Sequence, residues 1–127
     1  YFFVGNYVGQ NGLVDIYIPF LVNVKKWSFG LRPHYFIAAA TVSTLDQNNQ
    51  SLRDYANGLG AEIDIVAKYT ISKSVNIAGG YSQMFATETM QVIKYPDNPG
   101  AEYYKNINSW SWLMLKIKPT FFNKEQL

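Results

Sequence analysis

The sequence contains no cysteine, which excludes disulfide bonds, thiolate metal sites and cysteine nucleophiles. It has one histidine, His34, which leaves few ways to place a nucleophile beside a base and an orienting partner. We therefore expect no enzyme activity, no catalytic residue, no metal site and no cofactor. We interpret His34 as a solvated side chain rather than a ligand.

Charge and long apolar runs are also scarce. Charged residues make up 16% of the 127-residue chain, below the roughly 25% of an average soluble protein. The net charge of +2 does not indicate a nucleic-acid partner. The longest uninterrupted apolar runs are far too short for a membrane-spanning helix. Aromatic residues, in contrast, reach 17%, which suits a wall that faces lipid or a large binding surface.

Apolar residues occupy every second position of the segment from Val14 to Val24. Because a strand directs successive side chains to opposite faces, this alternation predicts one long strand with an apolar face and a mostly polar face. At ~3.3 Å per residue the segment spans roughly 36 Å, and a tilt of about 40° leaves about 28 Å of height, close to the hydrocarbon thickness of a bilayer. The apolar residues of this segment are Val14, Ile16, Ile18, Phe20, Val22 and Val24.

The same two-residue period recurs along most of the chain, so we predict an all-β fold of antiparallel strands. We predict long polar loops at 43–57 and 94–108, and short turns at 25–26 and 72–74. Short turns at one end and long loops at the other are typical of outer-membrane barrels. The prediction is an antiparallel up-and-down transmembrane β-barrel, in which residues 1–127 form about six C-terminal strands of a single, larger barrel domain. The predicted strands are about 1–8, 13–24, 27–42, 59–71, 75–93 and 109–122.

Four short segments in the second half of the chain are similar to one family of membrane proteins. They are LGAEID (59–64), GYSQMFAT (80–87), WSWLM (110–114) and KPTFF (118–122). From Gly58 onward the chain resembles the C-terminal part of outer-membrane porins of the alginate-export type, found in Bacteroidetes and similar Gram-negative bacteria. The resemblance implies a location in the bacterial outer membrane. It also implies a C-terminal fragment, because members of that family are larger barrels than this chain could supply.

Charged residues are concentrated on the polar phase of the predicted strands. Rings of charge in a water-filled pore select which ions or solutes pass, so these residues are candidates for lining a pore. The alternative is that they pair across strands and keep the wall hydrated, each pair contributing roughly 0.2–1 kcal/mol. The candidate pore-lining residues are Arg32, Glu62, Asp64, Lys68, Lys116 and Lys118.

The opposite phase is expected to face lipid, with aromatic residues in interfacial girdles. The apolar candidates are the six alternating apolar residues from Val14 to Val24, together with Ile63, Ile65, Leu113, Leu115 and Ile117. The aromatic candidates are Trp27, Tyr35, Tyr69, Tyr81 and Phe121.

Together these features predict a passive, porin-like outer-membrane channel for small hydrophilic solutes, anionic solutes and saccharides among them, with membrane lipid around it. The alternation does not decide which face points outward, so a soluble small β-barrel that binds a lipid-like ligand inside remains an alternative. A further alternative is a barrel whose long loops dock a partner protein in an outer-membrane complex.

Overall fold

The computed structural model describes residues 12–46, 51–98 and 100–119. Within these ranges the fold is mostly antiparallel β-sheet with one α-helix, which confirms the all-β prediction. The predicted strand at 1–8 and residues 120–122 of the predicted last strand lie outside the described residues. The elements are β1 (Leu13–Tyr17), β2 (Phe20–Val24), β3 (Trp27–Ala38), β4 (Val42–Asp46), β5 (Ser51–Tyr55), β6 (Gly58–Ser72), β7 (Val75–Ala86), α1 (Glu88–Lys94), a 3-10 helix (Tyr103–Lys105) and β8 (Asn108–Ile117).

The main sheet has the order β1, β3, β6, β7, β8, and β2 pairs with β3 on the same side as β1. β1 pairs with the C-terminal part of β3, and β2 pairs with its N-terminal part. Pro19 has no backbone N–H and interrupts the ladder between them. The Ile18 N–H still donates to the Pro33 carbonyl at 3.3 Å. The predicted strand 13–24 is therefore present as two halves aligned along one neighbour.

The connections differ between the two ends of the main sheet. At one end, turns at 25–26 and 73–74 join β2 to β3 and β6 to β7. Lys25 in the first turn has a φ of 54°, which L residues seldom adopt. At the other end, residues 39–57 join β3 to β6 and residues 87–107 join β7 to β8. This confirms the predicted separation of short and long connections, and we call the two ends the turn end and the loop end.

The first long connection is not the irregular loop that the polar composition of 43–57 predicted. β4 and β5 form a separate two-stranded antiparallel hairpin in it, and β3 ends at Ala38 instead of residue 42. The Ser43 hydroxyl donates to Asp54 Oδ1 at 2.6 Å across this hairpin. Val42 is buried against the main sheet, and this tertiary contact anchors a hairpin whose own composition is mostly polar.

The predicted strand 75–93 is also wrong from residue 87 onward. β7 ends at Ala86, and the chain continues into α1. Thr87 caps the helix, since its backbone is extended and its side chain accepts from the Met90 N–H. Glu88 in the first turn and Lys94 in the last turn complement the helix dipole. At seven residues the helix is too short for a clear 3.6-residue period to show in the sequence.

The hydrophobic core lies at the loop end, between the main sheet, the hairpin and α1. It consists of Phe36, Ala38, Val42, Leu59, Met84 and Met90. Two hydrogen bonds hold α1 over it: Thr87 Oγ1 donates to the Gly58 carbonyl and Thr89 Oγ1 donates to the Ala56 carbonyl, each at 2.7 Å. Among the described residues, no helix has the length and apolar character needed to cross a membrane.

Candidate functional site

One face of the main sheet is apolar and exposed, and we call it the apolar face. Residues paired across neighbouring strands share a face, so each set of register partners forms a row across the sheet. One such row joins Leu31, Ile65 and Tyr81, whose side chains are all exposed. The eleven apolar residues predicted to face lipid all have exposed side chains. Register, or for Ile18 the two-residue spacing, assigns them to this face: Val14, Ile16, Ile18, Phe20, Val22, Val24, Ile63, Ile65, Leu113, Leu115 and Ile117.

Aromatic residues lie near both ends of the apolar face. At the turn end the Trp27 and Tyr69 rings pack with centroids 4.7 Å apart. Tyr35 lies toward the loop end of the same strand as Trp27, eight residues on, which corresponds to roughly 27 Å along a strand. Tyr81 lies between these two levels. Of the predicted girdle residues, Phe121 falls outside the described ranges.

Polar side chains interrupt the apolar face where β7 and β8 approach the loop end. They are Gln83, Ser109 and Ser111, which share this face by register. The Gln83 side chain accepts a hydrogen bond from the Tyr81 hydroxyl at 2.7 Å and donates to the Asn108 carbonyl at 3.2 Å. Both the oxygen and the nitrogen of the Gln83 amide therefore have hydrogen-bond partners within the protein.

The other side of the main sheet is the polar face, and it brings four of the six candidate residues close together. Arg32 on β3 is the register partner of Asp64 on β6, and in the next row His34 is the register partner of Glu62. Lys68 lies on the same face of β6, four residues beyond Asp64. The sequence correctly predicted that these residues share a face. That they line a pore stays a prediction.

The polar face contains a cavity of about 560 Å³, which we call the trough. Leu21 at one edge of the main sheet and Trp112 at the other both line it, so the sheet is curved with the polar face on its concave side. Gly30, which lies beside Val66 in one row, lines the trough and leaves room in its middle because it has no side chain. The lining residues that belong to the polar face by register are Leu21, Ser28, Gly30, Arg32, Asp64, Val66, Lys68, Ser82, Trp110 and Trp112.

The Trp112 indole lies directly against the backbone of Gly80, its register partner. A Cβ added to Gly80 would lie 2.3 Å from Trp112 Nε1 and 2.8 Å from Cζ2. These positions are too close for any side chain larger than hydrogen, so Gly80 is what allows the ring to cover the sheet. The neighbouring Gly79 has no such restriction, since its nearest contact would be 3.5 Å away.

The charges of the trough do not cancel. Its lining contains two cations, Arg32 and Lys68, and one carboxylate, Asp64, which leaves one net positive charge (2 − 1 = 1). Within the described ranges, neither cation is in an ion pair. The Arg32 guanidinium lies 5.8 Å from the centroid of the Tyr17 ring instead. These two cations therefore do not fit the alternative in which the polar-face charges only form ion pairs across strands.

His34 is the centre of a polar cluster on the loop-end side of the trough. Its Nδ1 lies 2.9 Å from Asp15 Oδ1, and its Nε2 lies 3.6 Å from Asp64 Oδ2. The Ser82 hydroxyl donates to Asp64 Oδ1 at 2.5 Å, and the Tyr17 ring stacks on the imidazole with centroids 5.1 Å apart. The His34 side chain is only 12% exposed. The interpretation of His34 as a solvated side chain was therefore wrong, because carboxylates from the two strands beside β3 enclose it.

The remaining two candidates lie apart from this group. Lys116 is on the polar face of β8 at the turn end, where it pairs with Asn76. Lys118 follows the end of β8, and its backbone N–H donates to the Ser74 carbonyl at 2.8 Å. Both side chains are exposed, and neither lines the trough.

Sequence reasoning missed Trp110, Trp112 and Ser82 as members of this site. The sequence did show that the two tryptophans share a strand face with Lys116, because they stand at even spacing from it and alternate with apolar residues. Their role as neighbours of Arg32 and Asp64 was not visible, because it depends on the pairing of β6 with β7 and β8. Across the described part of the chain, no group of three or more histidine or acidic side chains is arranged to hold a metal ion.

Comparisons of the chain with protein-family models, curated proteins and solved structures find no match. The similarity to the alginate-export porins therefore stays a prediction from the sequence.

Proposed function

We propose that this chain belongs to a β-barrel of the bacterial outer membrane that acts as a passive, porin-like channel for small hydrophilic solutes. The observation that supports the proposal most strongly is the apolar face. It extends over every strand of the main sheet and exposes large apolar side chains on each of them, opposite a concave polar face. An exposed apolar surface of this extent is uncommon on a protein surrounded by water, whereas lipid tails would cover it at no cost.

The dimensions of the apolar face agree with a membrane wall. The levels of Trp27 and Tyr35 are roughly 27 Å apart along the strand, which is about 20 Å of height at a tilt of about 40°. The apolar band of known outer-membrane barrels is about 25 Å tall, with aromatic residues at both margins. The aromatic residues on β3 and β6 occupy the corresponding positions.

The curvature argues against a soluble barrel that holds a lipid-like ligand. Such a barrel places its apolar side chains inside, on the concave side. Here the concave side contains Arg32, Asp64 and Lys68. A water-filled interior with a lipid-facing exterior fits this arrangement better.

The elements at the loop end fit a channel mouth. α1 and the β4–β5 hairpin pack against Phe36 and Met84, which lie on the polar face by register. In a barrel these elements would project over the lumen and narrow the opening at that end. The turn end, with its two short turns, would remain wide.

The proposal requires strands beyond those of the main sheet. Backbone N–H and C=O groups in lipid must be paired, so a membrane sheet has no open edge. β3, β6 and β7 have neighbours on both sides, whereas the outer edges of β1, β2 and β8 have no partner among the described residues. Residues outside the described ranges, or another chain, would supply the missing partners.

Single-cysteine variants test the orientation of the sheet, because the chain has no cysteine of its own. Ile65→Cys and Val66→Cys form a matched pair: the residues are adjacent, their exposed fractions are 47% and 37%, and they lie on opposite faces. In lipid vesicles, a membrane-impermeant maleimide is expected to label the Val66→Cys variant and not the Ile65→Cys variant. In denaturant both should react. Labelling of Ile65→Cys with protection of Val66→Cys in vesicles would contradict a membrane location.

Conductance tests the channel itself. The full protein, purified in detergent and added to a planar lipid bilayer, is expected to produce stepwise increases in current that persist without an energy source. The control is the same protein unfolded in denaturant before addition. If the protein inserts, as judged by the labelling pattern, and no current is observed, the channel function is wrong although the membrane location stands.

A further inference from the structure

We propose that the trough binds organic anions that carry a flat ring, of which an aromatic carboxylate is the simplest example. This inference rests on the proposed channel, because it names the class of solute that the polar face of that channel would select. Three properties of the trough support it: its surplus of positive charge, the flat indole surface at one side, and its size.

The positive charge favours an anion. Arg32 and Lys68 line the trough without an ion-pair partner among the described residues, while Asp64 accepts from Ser82 and lies beside His34. A bound carboxylate would give one of these cations the charge-assisted hydrogen bond that it lacks. Asp15 and Glu62 lie toward the loop end, so we expect the carboxylate to bind toward Lys68 and away from them.

The indole surface favours a ring. The Trp112 indole packs against the Gly80 backbone through Nε1, Cε2 and Cζ2, and it lines the trough. Trp110 lies in the adjacent row of the same face and also lines the trough. Aromatic rings stack with an offset on such a surface and gain more than their buried area alone would give. Lys68 lies in the row next to that of Trp112, so a ring on the indoles and a carboxylate at Lys68 share one cavity.

The size of the trough favours a small organic molecule over a bare inorganic ion. At about 560 Å³ it falls within the range of ~300–1,000 Å³ that small-molecule sites occupy. A halide would contact only one of the two cations, because Arg32 and Lys68 lie two rows apart on the polar face, roughly 13 Å along the strand direction. An anion with a ring can contact a cation and an indole together.

The test uses the full protein and three probes. Benzoate has both features, benzamide has the ring without the charge, and cyclohexanecarboxylate has the charge without the flat ring. We expect saturable binding of benzoate by titration calorimetry, and saturable reduction of the single-channel current. Benzamide should bind about tenfold more weakly, and cyclohexanecarboxylate roughly three- to tenfold more weakly.

Variants locate the site. Lys68→Gln is expected to weaken benzoate about tenfold and to leave benzamide unchanged. Trp112→Leu is expected to weaken benzoate and benzamide alike while leaving cyclohexanecarboxylate nearly unchanged. Lys116→Gln is the matched control, since this lysine is on the same face outside the trough, and it should change none of the three affinities.

The outcomes separate this inference from the channel itself. If the protein conducts but binds the three probes equally, or if Lys116→Gln weakens benzoate as much as Lys68→Gln does, the proposed selectivity is wrong and the channel stands. If benzoate binds with the expected ranking and no current is observed, the trough is a ligand site as inferred and the channel function is wrong.

Discussion

The loop end and the middle of the main sheet bury their apolar side chains differently. At the loop end, where α1 and the hairpin cover the sheet, Leu59 of β6 and Met90 of α1 are fully buried, and Phe36 is nearly so. Along the rest of the sheet, apolar residues as large as Phe20 and Leu115 remain exposed. A sheet needs a second layer to bury a face, and only the loop end has one within the described residues.

This difference separates two sources of stability. The loop end is stabilised by contacts within the protein, as in a soluble domain. The apolar face requires an apolar surrounding, which the proposal assigns to lipid. The effects of mutations at the two regions should therefore depend differently on whether the protein is in water or in lipid.

Truncation of Leu59 is expected to have the largest effect, because it removes a fully buried side chain from the core. Leu59→Ala should lower the free energy of unfolding by about 2–5 kcal/mol. Leu52→Ala is the control, since Leu52 is 73% exposed on β5, and it should change stability by less than about 0.5 kcal/mol. Urea unfolding followed by tryptophan emission measures both. Equal effects of the two substitutions would contradict a core at the loop end.

A charge on the apolar face is expected to be costly only in lipid. Ile65→Arg should destabilise the protein in phosphatidylcholine vesicles by about 2–4 kcal/mol, because Ile65 lies midway between the aromatic levels. Met114→Arg places the same charge at an exposed position of the polar face and should cost less than about 1 kcal/mol. Urea titration of the vesicle-bound proteins gives both values. Similar small losses for both variants would show that lipid does not cover the apolar face.

The glycine pair on β7 tests the wall of the trough. Gly80→Ala should cost about 1–3 kcal/mol, since the added Cβ would overlap the Trp112 indole and displace it. Gly79→Ala meets only ordinary contacts and should change stability by less than about 1 kcal/mol. The near-ultraviolet circular dichroism of the indole reports its displacement. If the two alanine variants have the same stability and spectrum, the ring does not rest on Gly80.

Loss of the α1 cap is expected to have the smallest effect. Thr87→Ala removes the acceptor of the Met90 N–H and the donor to the Gly58 carbonyl, which should cost about 0.5–2 kcal/mol. Thr87→Ser keeps the hydroxyl and should remain close to the unsubstituted protein. Hydrogen exchange of the α1 amides measures the local change. An equal increase in exchange for the serine and alanine variants would show that the hydroxyl does not cap the helix.

Local patterns in the sequence were sufficient for much of the sheet. The alternation from Val14 to Val24 predicted a strand over 13–24, which the structure divides into β1 and β2, and the predicted strand 59–71 lies within β6. The turn at 25–26 and the turn after Ser72 were also predicted, because charged and small polar residues interrupt the alternation there. These features depend only on neighbours along the chain.

The elements at the loop end could not be predicted in the same way. α1 and the β4–β5 hairpin contain few apolar residues, and those few become informative only when they meet Leu59 and Met84. The Thr87 cap and the following Glu88 were the available signal for the helix, and they are weak evidence without the packing partner.

The amino-acid pattern is enough to predict long alternating strands with one apolar and one polar face, because side-chain direction in a strand depends on position alone. Which side chains meet across the polar face depends on the folded sheet. It enclosed His34 between Asp15 and Asp64, laid Trp112 on Gly80, and left Arg32 and Lys68 beside a cavity without an ion-pair partner among the described residues. These contacts join residues on different strands that are far apart in the chain, so they form only when those strands pair in register.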